Sequence, residues 1–332
     1  MTFTSVFRPG QVLFGKRRAY QRKVAVADFS GVCSGDIYVL EPKGNALLPE
    51  LLPFICQTEA FFEHAVGTSA GSLSPRTNWE SLASFEFMLP PIEEQRRIAA
   101  ALRAARMAAE AGVAVLASVE VLLRSAIDAT AQRGVRSQQL RPLDDLVSPD
   151  RPICYGILMP GTGFEGGVPV IKVKDYPNGH IVTKDLLLTD PKMDEEFRRS
   201  RLRAGDLLIS IRGTIGRLAR VPKTLDGANI TQDTARLSIR PEVNVDYVRA
   251  MLESSYVQRQ IATFTTGLAV QGINIGELRR VQIPLVNSSL QAELVQKVVV
   301  IRQAMSAVSA RRQQALGLLC NVRESMLRET CR

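Results

Sequence analysis

The clearest pattern of apolar and polar positions lies in residues 92–134. Apolar or small side chains recur there at alternating steps of four and three, with Gly112 at the one open position. This spacing is the a/d seam of a heptad repeat and predicts a long helix that packs lengthwise on another helix. Pro90 and Pro91, followed by Glu93 and Glu94, form a helix start, because proline lacks an amide hydrogen and acids face the positive end of the helix dipole. The seam comprises Ile98, Leu102, Ala105, Ala109, Leu116, Val119, Leu123 and Ala126.

The same pattern returns near the C-terminus at an offset of 196 residues, in residues 287–332. Its seam comprises Leu294, Val298, Ile301, Met305, Val308, Ala315, Leu319, Val322 and Met326, with Arg312 at the charged position. At the same offset, Gln95 matches Gln291, Leu82 matches Leu278 and Gly71 matches Gly267. The chain therefore contains an internal repeat with a period of about 196 residues. Each helix could instead pack only on its own domain, but the matched seams favour packing of the two helices against each other.

A β-rich segment precedes each helix. Residues 203–213 predict a turn, a buried strand and a glycine turn, and residues 8–15 repeat them at an offset of 195. Residues 37–42 resemble residues 236–241 at an offset of 199, and residues 82–91 resemble residues 278–287, where a short helix and a strand are expected.

The predicted organisation is α+β, with two mixed α/β domains at 1–91 and 135–286 alternating with helices at 92–134 and 287–332. Residue 1 corresponds to about residue 196 of the second copy. We therefore expect the first domain to lack the counterpart of residues 141–195.

Composition adds a basic character to this picture. The 332 residues carry 42 Lys and Arg against 33 Asp and Glu, a formal net charge of +9, which slightly favours a polyanionic partner. The five cysteines form no CxxC pair, and His64 and His180 have no nearby ligand partner, so neither disulfides nor a metal site is expected. No apolar run approaches the roughly 20 residues that span a bilayer. Residues 1–25 carry Arg and Lys without an apolar core, which predicts a cytoplasmic protein without a signal peptide.

Signs of catalytic chemistry are missing from the sequence. It has no P-loop, no HExxH motif, no Asn-Pro-Pro-aromatic motif of amino-methyltransferases and no plausible nucleophile triad. Residues 161–166 match GxGxxG, but Pro160 precedes them and an apolar run predicting a strand follows, whereas a dinucleotide site needs a helix there. We expect a non-catalytic protein without a cofactor.

Candidate DNA contacts are the Arg and Lys side chains that bind phosphates or guanine, together with Gln and Thr side chains that hydrogen-bond base edges. In the second domain they are Arg151, Lys172, Lys174, Arg212, Thr214, Arg220, Lys223, Gln232 and Gln271. In the first domain a dense basic run with an interleaved tyrosine and no acidic residue comprises Lys16, Arg17, Arg18, Tyr20, Arg22 and Lys23. The alternative for this run is a solvated charged loop.

The chain resembles the specificity subunits of type I restriction-modification systems. The resemblance rests on Leu-Pro-Pro-Ile-Glu-Glu-Gln-Arg-Arg-Ile-Ala at 89–99, which is similar to the family's entry into its long helix. It rests also on residues 204–216, which resemble the family's glycine-aspartate strand and glycine turn, and on Gln232 after the next strand. The second helix entry is a partial match, with Ile283, Pro284 and Leu285 followed by Gln291.

The resemblance implies two target-recognition domains, the first shortened at its N-terminus, and two helices paired as an antiparallel coiled coil. It also implies a subunit that binds a bipartite site on double-stranded DNA and directs partner subunits to it. Those partners would be two methyltransferase subunits and the restriction subunits, which carry the catalysis. The alternative is a coiled-coil scaffold or decoy that binds methyltransferase subunits without reading a full site. The shortened first domain gives this alternative some support.

Overall fold

The computed structural model describes residues 3–266 and 271–328. The chain divides into two compact units, one formed by Met1–Ala117 with Ser306–Arg332 and the other by Ser118–Met305. They are called the first and the second unit below. No helix among the described residues is both long enough and apolar enough to cross a membrane.

Residues 3–91, the described part of the chain before the first long helix, contain seven short strands and three short α-helices. The strands are β1 (Phe3–Phe7), β2 (Val12–Gly15), β3 (Val24–Val26), β4 (Gly31–Ser34), β5 (Ile37–Leu40), β6 (Ser69–Ala70) and β7 (Arg76–Thr77). The helices are α1 (Leu52–Ile55), α2 (Glu59–Gly67) and α3 (Trp79–Ala83). Strand β2 is the centre of an antiparallel sheet with the order β3-β2-β5, and β1 pairs with β4. Val12 and Phe14 point from β2 into a core that includes Phe61, Phe62 and Leu82.

The first long helix, α4, spans Ile92–Arg136. Between the two long helices, the described residues 137–266 and 271–287 form nine further strands and five short α-helices. The strands are β8 (Leu140–Pro142), β9 (Cys154–Tyr155), β10 (Val168–Ile171), β11 (Leu187–Thr189), β12 (Leu207–Ser210), β13 (Leu218–Arg220), β14 (Asn229–Ile230), β15 (Thr234–Leu237) and β16 (Gln282–Pro284). The helices are α5 (Leu143–Leu146), α6 (Pro191–Glu196), α7 (Val245–Glu253), α8 (Ser255–Phe264) and α9 (Ile275–Arg280). The second long helix, α10, spans Ser288–Arg328.

Strand β12 is the buried centre of the second unit. It pairs with β13 and β15 in an antiparallel sheet with the order β13-β12-β15-β9. A second sheet has the order β11-β10-β14, in which β10 and β14 are parallel. All four residues of β12 are buried, because its two faces contribute to different cores. Leu207 and Ile209 pack with helices α7 and α8, whereas Leu208 packs with Ile171 and Tyr176.

The two long helices pair antiparallel, as the heptad pattern predicts. In the first unit, Ala99 and Leu102 near the start of α4 pack with Met326 near the end of α10. In the second unit, Ile127 and Ala131 near the end of α4 pack with Leu294 and Val298 near the start of α10. Every described position of the two seams named above is buried or half-buried.

Each helix half also packs on its own unit, so the two kinds of packing that the sequence left open both occur. In the first unit, Ala99 and Leu102 share a core with Leu51, Phe54 and Ile55. In the second unit, Gly134 shows that the end of α4 likewise packs on its own unit. A Cβ atom there would lie 2.7 Å from the carbonyl oxygen of Leu285, so glycine allows α4 to approach the chain closely.

The duplication extends to single hydrogen bonds. Thr58 and Ser254, 196 residues apart, are buried N-cap residues of α2 and α8, and each hydroxyl also donates to the carbonyl three residues earlier. Gln95 and Gln291 each donate a side-chain hydrogen bond to the carbonyl five residues earlier, at 2.9 and 2.8 Å. The predicted pair Gly71 and Gly267 cannot be compared, because Gly267 lies outside the described residues.

Two details of the predicted repeat are wrong. Gly15 pairs with Ile37, and its counterpart Ser210 pairs with Thr234. The offset of this strand is therefore 197 and not 199. A shift of two residues keeps every side chain on the same face, so apolar alternation alone could not detect it. Residues 85–91 form no strand, unlike β16, which pairs with β8 in the second unit.

Candidate nucleic-acid interface

The turn after β12 is held by a buried serine. The Ser210 hydroxyl donates to the Thr214 carbonyl and accepts from the Arg217 amide, whose nitrogen lies 2.9 Å away. Gly213 lies in this turn with a φ of +69°, a left-handed conformation that favours glycine. The turn therefore presents Arg212 and Thr214 as exposed residues at the end of the buried strand.

Three predicted DNA contacts from distant segments meet at this turn. Arg212 forms a backbone bridge with Gly272, and the Gly213 amide donates to the Gln271 carbonyl at 3.3 Å. The Arg212 guanidinium donates to the Gln232 side-chain oxygen at 2.9 Å. This contact orients the Gln232 amide so that its NH₂ group stays free to donate. We call Arg212, Thr214, Gln232 and Gln271 the reading surface of the second unit.

Lys172 and Lys174 follow the end of β10. The Ile171 carbonyl accepts from the Thr231 amide, at 3.2 Å, so Lys172 emerges beside the segment that carries Gln232. The two lysines line a shallow pocket of about 430 Å³ together with Phe164 and the acidic residues Glu165 and Asp185. Residues 161–166 are a loop that leads into β10 and not into a helix.

Two further predicted contacts of the second unit are held in ion pairs. Arg151 makes a bidentate pair with Asp206, at 2.9 and 3.0 Å, and Asp206 also accepts from Ser238. This pair is largely buried, so Arg151 is part of the protein interior. The Arg220 guanidinium lies 2.9 Å from Asp246. Lys223 is exposed and has no ion-pair partner among the described residues.

The first unit repeats the backbone of the reading surface. Arg17 forms a backbone bridge with Arg76, as Arg212 does with Gly272, and the offsets are 195 and 196. Arg18 has a φ of +55° at the position of Gly213, and its amide donates to the Pro75 carbonyl at 2.7 Å. The side chains differ, because both Arg17 and Arg18 contact the Ser74 hydroxyl.

Acidic residues from other segments partly neutralise the basic run of the first unit. Asp36 lies 2.8 Å from Arg76 and 3.6 Å from Arg17, and the hydrogen bond from Arg76 lowers the pKa of the Asp36 carboxyl. Arg22 makes a bidentate pair with Glu59, and this hydrogen bond lowers the pKa of Glu59.

The rest of the run is less constrained. The Lys16 ammonium lies 4.6 Å from the centre of the Tyr38 ring. Tyr20 and Lys23 are exposed. Of the four exposed residues in this run, these two have no carboxylate partner within residues 3–266 and 271–328, whereas Arg17 and Arg22 are paired.

Sequence reasoning missed Asp36 and Glu59, which pair with arginines in and beside the basic run, and it missed the buried Arg236. Asp36 and Glu59 lie outside the basic run, so a search for acids within that run could not find them. Arg236 is a buried arginine in the apolar strand β15. That placement is unusual enough in a sequence to be a signal.

Residues 4–107 match the family model of the type I restriction modification DNA specificity domain. The specificity subunit of the type I restriction enzyme EcoBI from Escherichia coli is 26% identical over 191 residues, which cover 57% of this chain and 40% of that protein. The EcoDI specificity subunit from the same organism is 30% identical over 92 residues, covering 28% of this chain and 20% of that protein. The chain thus spans less than half the length of these relatives.

Two solved structures share the fold over nearly the whole chain. A chain from a type I restriction-modification system superposes with a TM-score of 0.62 at 20% identity, covering 99% of this chain and 83% of that one. The S subunit of such a system from M. genitalium gives a TM-score of 0.56 at 14% identity, covering 98% and 84%.

The fold defined by two mixed α/β units and a pair of long antiparallel helices is therefore that of an S subunit. Residues 4–107 match the type I restriction modification DNA specificity domain, and the chain is similar to type I specificity subunits over 191 residues.

Proposed function

We propose that the chain is the sequence-reading subunit of a type I restriction-modification complex and directs partner methyltransferase and restriction subunits to a two-part DNA target. The observation that carries this proposal is the repeated loop at the end of the central strand. Arg17 and Arg212 occupy equivalent backbone positions in two separately folded units. A protein that reads two half-sites needs two such surfaces.

The chemistry of the reading surface suits base recognition. An arginine guanidinium can donate two hydrogen bonds to guanine O6 and N7, and a glutamine amide can pair with adenine N6 and N7. Lys172 and Lys174 would bind backbone phosphates, which position a protein on DNA without specifying sequence. The domains responsible are residues 1–91 and 135–286.

The long helices are the proposed dock for two methyltransferase subunits, through faces turned away from the seam. Large apolar side chains on α4 remain exposed there, among them Met107, Val121 and Leu122. An apolar surface on an exposed helix face is suited to a protein partner. Since the chain's sequence offers no catalytic motif, methylation and cleavage are assigned to the partner subunits.

The partly neutralised basic run of the first unit favours a second candidate, a coiled-coil scaffold that binds methyltransferase subunits without reading a full site. Arg17 and Arg22 both have carboxylate partners there. Such a protein would form the complex without giving a two-part methylation pattern.

Co-expression with the cognate methyltransferase subunit, followed by genome-wide mapping of methylated bases, separates the two candidates. A methylated motif split into two constant parts supports two working readers. A single half-motif or its palindrome would restrict reading to residues 135–286 and contradict the two-reader form. A complex that forms without methylating DNA would overturn the proposal in favour of the scaffold.

A further inference from the structure

A cleft of about 860 Å³ opens in the second unit beside β9. Its wall contains seven arginines and only three acidic residues. Of the predicted DNA contacts, only Arg151 lines it. The cleft is thus distinct from the reading surface formed by Arg212, Thr214, Gln232 and Gln271.

Four of the arginines already have carboxylate partners. Arg151 pairs with Asp206, and Arg201 pairs with Asp194 and Glu195. The remaining two are Arg198, which lies 3.3 Å from Glu195, and Arg279, which lies 3.5 Å from Asp144. These four side chains contribute little net charge to the cleft.

The other three arginines, Arg199, Arg203 and Arg236, have no carboxylate partner in residues 3–266 and 271–328. Arg199 and Arg203 are exposed at the cleft. Their guanidinium groups make no hydrogen bond to this part of the chain, so all their donors are available to a ligand.

Arg236 is the unusual member, because only 3% of its surface is exposed although it lines the cleft. Its terminal nitrogens donate to the carbonyls of Arg201, at 3.3 Å, and Pro152, at 2.9 Å. Its Nε atom is buried and has no hydrogen-bond partner in the described part of the chain. Burial lowers the pKa of Arg236, as expected for a cation removed from water without a counter-ion.

We propose that this cleft binds a phosphate-bearing anion through Arg199 and Arg203, with Arg236 supplying buried positive charge behind them. Guanidinium groups match phosphate geometry and can bind it bidentately. An anion would also compensate the charge of Arg236, which is costly to bury alone. Tyr155 and Phe197 add aromatic surface to the wall, and the volume is sufficient for a nucleotide.

The test is isothermal titration calorimetry of the full chain with sodium pyrophosphate at constant ionic strength. Arg199→Gln with Arg203→Gln removes two exposed charges from the cleft. Arg133→Gln with Arg259→Gln is the matched control, because both residues are exposed arginines of the second unit that do not line the cleft. Equal melting temperatures of the two double variants would show that both fold.

We expect saturable binding to the wild type, at least tenfold weaker binding to the cleft variant, and less than a twofold change in the control. Wild-type protein that binds no pyrophosphate would overturn the proposal. Equal affinities of the cleft variant and the wild type would overturn it as well.

A second arm uses a fluorescent 40-base-pair duplex to identify the source of the phosphate. If the source is the DNA backbone, the cleft variant binds the duplex more weakly, its log-log salt slope falls by about two, and pyrophosphate competes with the duplex. If the source is a free nucleotide, duplex binding is unchanged and pyrophosphate binds in the presence of saturating duplex. The pyrophosphate arm does not depend on DNA reading, so this proposal and the proposed function can fail separately.

Discussion

At the scale of single residues, the contact between Arg212 and Gln232 joins an exposed cation, proposed to contact bases, to an oriented amide. The two residues are 20 positions apart, and only the pairing of β12 with β15 brings them to one end of the sheet. The sequence suggested both as separate candidates. It could not show that one positions the other.

Arg212→Gln should weaken binding to a duplex that carries the methylated motif by about 1–3 kcal/mol and relax specificity at one base pair. The reason is that glutamine cannot reproduce the two guanidinium donors that pair with guanine. Fluorescence anisotropy with the motif duplex and its single-base variants measures both effects. Arg259→Gln, an exposed arginine of the same unit, is the control, and an equal loss in both variants would contradict a specific role for Arg212.

Lys172→Gln combined with Lys174→Gln should weaken DNA binding of all sequences alike and lower the log-log salt slope by about two. Each lysine that neutralises a phosphate releases counter-ions, and this release is what the slope reports. Binding is measured at several salt concentrations, with Arg133→Gln plus Arg259→Gln as the charge-matched control. An unaltered slope would mean that the lysines face away from the duplex.

Ser254→Ala should lower the free energy of unfolding by about 1–2 kcal/mol, because the buried hydroxyl caps α8 and also donates to the Met251 carbonyl. Thr263→Ala on the exposed face of the same helix should change it by less than about 0.5 kcal/mol. Urea denaturation followed by circular dichroism measures the free energy of unfolding of both variants. Equal small effects would show that the cap is dispensable.

Arg151 shows the limit of residue-level prediction. Its charge made it a candidate DNA contact, but Asp206, 55 positions away, holds it in a largely buried bidentate pair. Composition can identify a cation, whereas its partner depends on the tertiary fold. The same reason explains why Arg22 proved to be paired with Glu59.

At the scale of elements, the heptad pattern predicted both long helices and their seams, because a seam of apolar residues every three or four positions is a local property of the sequence. The strands β9 and β14, of two residues each, were not predictable. Their formation depends on neighbouring strands and not on their own composition. The 197-residue offset of β5 was likewise visible only in the strand pairing.

The pairing of the two long helices can be tested with Leu318 and Leu319, because these adjacent leucines of α10 lie in different environments. Leu319 packs against the core around Leu102 and Met326, whereas Leu318 is exposed. Leu319→Asp should lower the free energy of unfolding by about 2–3 kcal/mol, since it places a charge in an apolar seam. Leu318→Asp makes the same change in helix propensity as Leu319→Asp, but it should lower the free energy of unfolding by less than about 0.5 kcal/mol. Thermal melts that shift equally for both would contradict the helix pairing.

At the scale of the whole molecule, one chain contains two copies of a unit that share backbone pairing, N-caps and the entry to a long helix. The offset of about 196 residues exposed this duplication in the sequence. The compact units differ from the domains predicted from the sequence. Their boundaries lie in the middle of both long helices and not at the helix ends. Sequence patterns alone place the boundary at the helix ends, since they cannot show that each half packs into the core of its own unit.

Selection from a random duplex library shows whether the chain reads DNA with two equivalent surfaces. The full chain in complex with its methyltransferase partner is incubated with the library, and bound duplexes are sequenced. Two reading surfaces should enrich two short motifs at a fixed spacing, and Arg212→Gln should weaken the enrichment of only one of them. Retention of duplexes without any enriched sequence would contradict sequence reading and leave a scaffold that binds DNA through charge alone.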